Sequence, residues 1–208
     1  MAKHSKTAVV QPLGVRTRRA YFDCTYGQLH VRTAFPATGG FDEQVTLACL
    51  HGAESSSRAF ARFLPEMAAT RSVYAPDLPG HGESDPAPSD SAASAAVAVE
   101  DLAKGLRLRQ IDLLGAGFGA ATALELAASR PELVRRLVLL RVPPMDRVPP
   151  VKQPCLVLRI KIGPADDTEW TRGSLTHARF LDLKDYTADL FDVAPKALAQ
   201  QIAQFLDS

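Results

Sequence analysis

Apolar and polar positions alternate along this chain in two distinct rhythms. Short β-branched or apolar runs, each a few residues long, read as strands: Ala20 to Cys24, Gln28 to Phe35, Val45 to Leu50, Val73 to Ala75, Gln110 to Leu114, Val134 to Arg141, Cys155 to Lys161 and Arg179 to Leu183. Between them lie stretches of helical period. Ser57 to Thr70 places Phe60, Phe63, Leu64 and Met67 on one face, the spacing of an amphipathic helix. Ser89 to Leu106 is alanine-rich and helical, with Ser89 or Ser91 as its cap. Ala120 to Leu126 begins another helix, ending near Arg130-Pro131, and Pro195 to Leu206 is the last. Strands alternating with helices predict a mostly parallel sheet of about eight strands with helices on both faces. The first two runs, turning at Tyr26-Gly27, predict an antiparallel hairpin at its start. Residues 1–19 carry scattered basic residues and read as a flexible tail, with residues 20–208 forming a single domain.

Composition changes this picture little. A chain of 208 residues with 46% hydrophobic and 23% charged residues is ordinary for a soluble globular domain. A formal net charge of +1 gives no electrostatic case for nucleic acid or an anionic membrane surface. No apolar run approaches the roughly 20 residues needed to span a bilayer, and the amino-terminal stretch lacks the continuous apolar segment of a secretion signal. The cytoplasm is therefore the expected compartment. The three cysteines, Cys24, Cys49 and Cys155, each fall in a strand-like run, which fits reduced structural thiols. The five histidines, His4, His30, His51, His81 and His177, show no ligand spacing with each other or with cysteine. Neither a metal nor an organic cofactor is expected.

The chemistry is concentrated in three segments. Gly115-Ala116-Gly117-Phe118-Gly119 follows the apolar run Ile111 to Leu114 and precedes a helix. Strand, glycine-rich turn and helix is the setting of a nucleophile elbow, G-x-S-x-G, here with glycine in place of serine. Leu50-His51-Gly52 follows one strand, and Asp77-Leu78-Pro79-Gly80-His81-Gly82-Glu83-Ser84 follows another. With the final helix, these segments resemble the α/β-hydrolase superfamily in its lipase, esterase and epoxide-hydrolase branch, over nearly everything from Tyr21 onward. The resemblance implies an α/β-hydrolase fold. That family often inserts a cap after the strand matching Val134 to Arg141. Here Val142 to Pro150 runs straight to the next strand, with Pro143, Pro144, Pro149 and Pro150 stiffening it. No cap domain is expected, and the uncovered mouth is a candidate contact surface for a second copy or a protein partner.

The resemblance also assigns catalytic positions, and the residues that carry chemistry are missing from them. The nucleophile position is Gly117. The base position falls near Ala188, with no histidine anywhere after His177. His177 precedes the last strand and so belongs at the amino-terminal end of the sheet. The orienting acid position lies close to Asp166 and Asp167, about three residues late, with Asp146 as the other option. An oxyanion hole would use the backbone N–H groups of Phe118 and Ala53. His51 and His81 match positions whose role in the family is structural, and Thr122 belongs to the following helix, facing elsewhere. The expected pocket is lined by His51, Gly52, Ala53, Glu54, Gly117, Phe118 and Tyr186. Three readings follow. The first is a triad-less member that binds a small apolar or carbonyl-bearing ligand, or associates with protein. The second is a weak or unconventional hydrolase acting on ester-like bonds through a water activated by Asp166, Asp167 or Glu54. The third is a purely structural or interaction protein whose pocket is filled by the side chains of Phe118, Tyr186 or Phe191.

Overall fold

The computed structural model describes residues 14–37, 44–160, 172–183 and 190–208. Eight strands form one sheet: β1 (Arg16–Cys24), β2 (Gly27–Phe35), β3 (Leu47–Leu50), β4 (Val73–Pro76), β5 (Ile111–Ala116), β6 (Val134–Leu140), β7 (Cys155–Ile160) and β8 (Arg179–Leu183). Their order across the sheet is β1-β2-β4-β3-β5-β6-β7-β8. β1 and β2 pair antiparallel, β2 meets β4 antiparallel, and the remaining neighbours are parallel. The helices are α1 (Phe63–Met67), α2 (Ala92–Gly105), α3 (Phe118–Ser129), α4 (Leu190–Val193) and α5 (Pro195–Leu206).

Successive side chains on a strand point to opposite faces, and both faces of the central strands are buried. Leu113, Leu137, Leu139 and Val157 join α2 and α3 in one core cluster. Leu114, Val138, Leu140 and Leu156 join α1, α4 and α5 in another. Continuous apolar runs such as Val138 to Leu140 are what a parallel strand covered by helices on both sides requires. Cys49 and Cys155 are buried and all three cysteines are free. Burial raises the Cys155 thiol to about 12, so it packs as a small apolar group.

Three expectations are corrected. The hairpin's first strand begins at Arg16, not Ala20, because Arg16 to Arg19 pair with Phe35 to Arg32. The tail therefore ends before Arg16; of it, residues 1–13 lie outside the described residues. Arginines on a solvent-facing edge strand are a common guard against edge-to-edge pairing, and their charge made this stretch read as tail. The helix expected over Ser57 to Thr70 splits into a 3₁₀ turn, Ser57–Phe60, and α1. Pro65 has no N–H to continue a ladder from the preceding turn, so the chain restarts with proline in α1's first turn. The apolar face survives the break: Phe60, Phe63, Leu64 and Met67 are all buried. Finally, the strand expected from Val45 starts at Leu47, and α4 forms just ahead of α5. Ser91 caps α2, its side chain accepting from the Ser94 N–H at 3.1 Å. Between β6 and β7 the described chain carries no helix, only the proline-bearing connector.

Candidate functional site

β5 ends in the elbow. Gly117 has φ 56° and ψ −120°, a backbone that residues with a side chain adopt only at a cost. Its N–H donates to Leu140 O at 2.9 Å, and its carbonyl accepts from the Ala120 N–H at 2.9 Å. The flanking glycines are fixed by space instead. A Cβ on Gly119 would collide with the backbone oxygens of Leu50 and His51, and one on Gly115 with the backbone of Gly119 and Ala120. These contacts hold α3 tight against β3 and β5. At Gly117 the only close atom a Cβ would meet is Gly52 Cα at 3.5 Å, ordinary contact. The position is strained but roomy.

A cavity of about 870 Å³ opens over this turn, at the carboxyl ends of β3 and β5. His51, Gly52, Ala53, Glu54 and Gly117 all line it. Phe118 does not. Its ring stacks on His81, centroids 5.8 Å apart and planes 22° apart, and packs with the α2 and α3 side of the core. Its backbone N–H begins α3, where helical N–H groups have no intrahelical acceptor. Among the described residues no acceptor is paired with the N–H of Phe118 or of Ala53; of the two residues, Ala53 lines the cavity.

His51 is committed elsewhere. Its Nε2 accepts from the Leu78 N–H at 2.9 Å and its Nδ1–H donates to Gly52 O at 2.8 Å. That pairing fixes the tautomer. The ring is 1% exposed, and desolvation holds its pKa below the ordinary 6.5. It ties the β3 loop to the β4 loop as a neutral strut. Asp77 anchors the same corner. Burial acts to raise its carboxyl, but hydrogen bonds from Ser57, the Glu83 N–H and His30 outweigh it, and the net direction is down. Its Oδ1 accepts from the Ser57 N–H at 2.6 Å, and its Oδ2 accepts from the Glu83 N–H at 3.0 Å and His30 Nδ1 at 2.9 Å. Gly82, at φ 56°, is glycine because a Cβ there would strike the Asp77 carboxylate. His30 with Asp77 is the one histidine–carboxylate pair among the described residues. Both are about 2% exposed and neither lines the cavity.

The remaining assigned positions divide between distant and undescribed. His177 lies near the amino end of β7, its Nε2 3.2 Å from Gln153 O, as the sequence expected. Thr122 is buried and its hydroxyl donates to Phe118 O at 3.0 Å. Asp146 is exposed in the connector. Asp166, Asp167, Tyr186 and Ala188 lie outside the described residues. Among those described, no group of three or more His, Cys, Asp or Glu has metal-holding geometry. None of the described helices is long and apolar enough to cross a membrane.

The structure adds lining residues that the sequence had not singled out, Arg58, Arg62, Arg141 and Asp192, and brings Phe60 and Phe191 to the same wall. Arg62 and Asp192 form an exposed pair at 3.4 Å. The signal was present in Ser55-Ser56-Ser57-Arg58, directly after Glu54, where Ser56 accepts from the Arg58 N–H and turns the chain across the mouth. Strain clusters here too. Glu54 (φ 55°) and Arg141 (φ 50°) are two of the three non-glycine residues with positive φ among the described residues, and both line the cavity.

Residues 45–154 match the family model for the alpha/beta hydrolase fold. The chain is 39% identical over 100 residues to 2-hydroxymuconate semialdehyde hydrolase of Pseudomonas sp. (strain CF600), covering 45% of this chain and 35% of that protein. It is 31% identical over 172 residues to the magnesium-chelatase 30 kDa subunit of Rhodobacter capsulatus, covering 80% of this chain and 59% of the other. The chain thus spans about a third of the first relative and well over half of the second. Among solved structures, a predicted CIB-like hydrolase from Thermoplasma acidophilum superposes with a TM-score of 0.78 at 16% identity, over 93% of this chain and 99% of that one. At that identity the likeness is one of fold.

Proposed function

The chain belongs to the α/β-hydrolase family, and we propose that within it this protein works by binding rather than by acyl transfer. The observation that carries the reading is Gly117 itself. It occupies the elbow with the strained backbone of a nucleophile position, faces a cavity of about 870 Å³, and offers no atom to attack. Acyl transfer on this fold needs a nucleophile activated by a base. The histidine that lines the cavity has both ring nitrogens engaged.

What remains suits a ligand with a carbonyl or similar acceptor and a modest apolar body. The N–H of Ala53, on the cavity wall, supplies a donor, and Ala59, Phe60 and Phe191 supply apolar wall. Protein association through the same mouth is the companion form of this reading. Val193, 70% exposed beside Asp192 at the rim, supports it.

One observation favours a second reading, that of a weak hydrolase. Glu54 lines the cavity and is exposed, placed where a carboxylate can draw a proton from water. Hydrolysis of short-chain activated esters separates the two. The binding reading expects no turnover above buffer by wild type, and ligand-induced rises in melting temperature that Ala59→Trp, filling the cavity, removes. Turnover that Glu54→Gln abolishes would overturn it in favour of the second.

A further inference from the structure

A second cleft lies behind the wall of the first. It measures about 310 Å³ and is lined by Thr17, Arg18, Arg19 and Arg32 on the hairpin side and by Leu64 and Pro65 of α1 on the other. Ala61 belongs to the walls of both cavities. Arg19 and Arg32 sit directly opposite each other in the β1–β2 ladder. Directly opposed side chains on one face are about 5 Å apart at Cβ, and like charges there repel. Arg32 is on an inner strand, paired also to Ala75 of β4. It is half-buried, and its Nε is shut off from solvent with no acceptor. Among the described residues no carboxylate pairs with either guanidinium.

Two facing cations and a buried donor without an acceptor are costly unless an anion completes them. Other buried charges among the described residues are completed: Arg71 and Arg135 meet Asp112, Arg159, whose Nε also lacks an acceptor, meets Asp182, and Asp77 meets His30. We propose that the β1–β2–α1 cleft is a binding site for a phosphoryl group, carried by a small phosphate ester or by a lipid headgroup. The geometry favours phosphoryl over carboxylate. Each guanidinium presents a planar fork that takes two oxygens. A carboxylate fills one fork. A tetrahedral dianion has enough terminal oxygens to satisfy both and neutralises both charges. The apolar floor of Ala61, Leu64 and Pro65 takes the carbon part of the ester. None of this depends on what occupies the larger cavity.

The test titrates inorganic phosphate into the full chain by calorimetry and amide chemical shifts, with chloride holding ionic strength constant. Saturable binding is expected, weakened at least about tenfold by Arg19→Gln and by Arg32→Gln, the loss expected when a hydrogen bond to a charged group is removed. Arg16→Gln, on the same strand but outside the cleft, should change it little. Melting curves of each variant confirm that it is folded. Glycerol phosphate binding as well as phosphate assigns the site to small esters. Flotation with phosphatidic acid vesicles, absent with phosphatidylcholine alone and lost in the Arg19/Arg32 double variant, assigns it to a headgroup. No binding in any arm, or binding that Arg16→Gln weakens as much as the cleft variants do, overturns the proposal.

Discussion

The two ends of the sheet handle buried polarity in opposite ways. At the amino end, the buried charges of the described residues are matched. Asp112 is fully buried and accepts from Arg135 at 2.9 and 2.6 Å, with Arg71 Nη1 at 3.7 Å. Arg71, 1% exposed, also meets Asp207, and Arg135 reaches the Leu206 carbonyl at 2.8 Å. Arg136 bonds Phe205 O and Ser208. At the carboxyl end, Asp77 and His51 are tied into their loops, but the Ala53 N–H has no paired acceptor among the described residues and strained backbone is retained at Glu54, Gly117 and Arg141. One end is built to hold α5 in place. The other is built to meet something from outside. Unsatisfied polarity within one fold therefore separates the part that stabilises from the part that recognises.

The contrast can be broken most forcefully at the first end. Asp112→Ala leaves the part-buried Arg135 without its carboxylate and the buried Arg71 with Asp207 alone, a change that costs about 3–5 kcal/mol. Urea unfolding should show that loss. A loss under about 1 kcal/mol would mean the cluster is hydrated and the contrast overstated. Next in size is Gly119→Ala, where the added methyl meets backbone rather than a flexible side chain. Overpacking of that kind costs about 1–3 kcal/mol, read from the same unfolding curves.

Gly117→Ser sharpens the comparison because space is not the obstacle there. It should lower stability by about 1 kcal/mol, the low end of the range for strained backbone. It should give no turnover of activated esters, since a hydroxyl without a base stays a poor nucleophile. Robust turnover in that variant would reveal a base in the mouth and overturn the binding reading.

The smallest effect concerns pH. Desolvation depresses the folded-state pKa of His51 below 6.5, so the unfolded chain binds more protons in that range and stability rises with pH. Stability should therefore fall as pH drops from 7 through 6.5 and below. Asp77, whose folded pKa is also depressed, adds a loss at more acid pH, as its carboxylate takes up a proton. His51→Gln keeps an acceptor for the Leu78 N–H and should flatten the upper part of the slope. Unfolding midpoints at pH 7.0 and 5.5 check this.

Much of the fold was legible because its signals are local. β8 and α5 fall where their apolar periods end, and β6 differs from its expected span by one residue. The missed boundaries have tertiary causes. Arg16 to Arg19 are strand only because β2 is there to pair with them, and basic composition points the other way. The 57–67 break depends on a single proline within a convincing amphipathic face. At the site, the elbow and the His51 loop were readable because glycine spacing is written in sequence. Asp192 was not, because it reaches the mouth from a segment far from the His51 loop in the chain. The His30–Asp77 and Arg19–Arg32 juxtapositions depend on strand register, which no single segment reveals.

The anchoring of α5 also sets an order of events. A chain made from its amino end exposes Arg71, Asp112, Arg135 and Arg136 well before Asp207 and the carbonyls of Phe205 and Leu206 exist. Until α5 emerges, that corner of the sheet stays hydrated and α5's apolar side has nothing to cover its facing strands. The domain therefore closes only once α5 has emerged, and that helix acts as the latch.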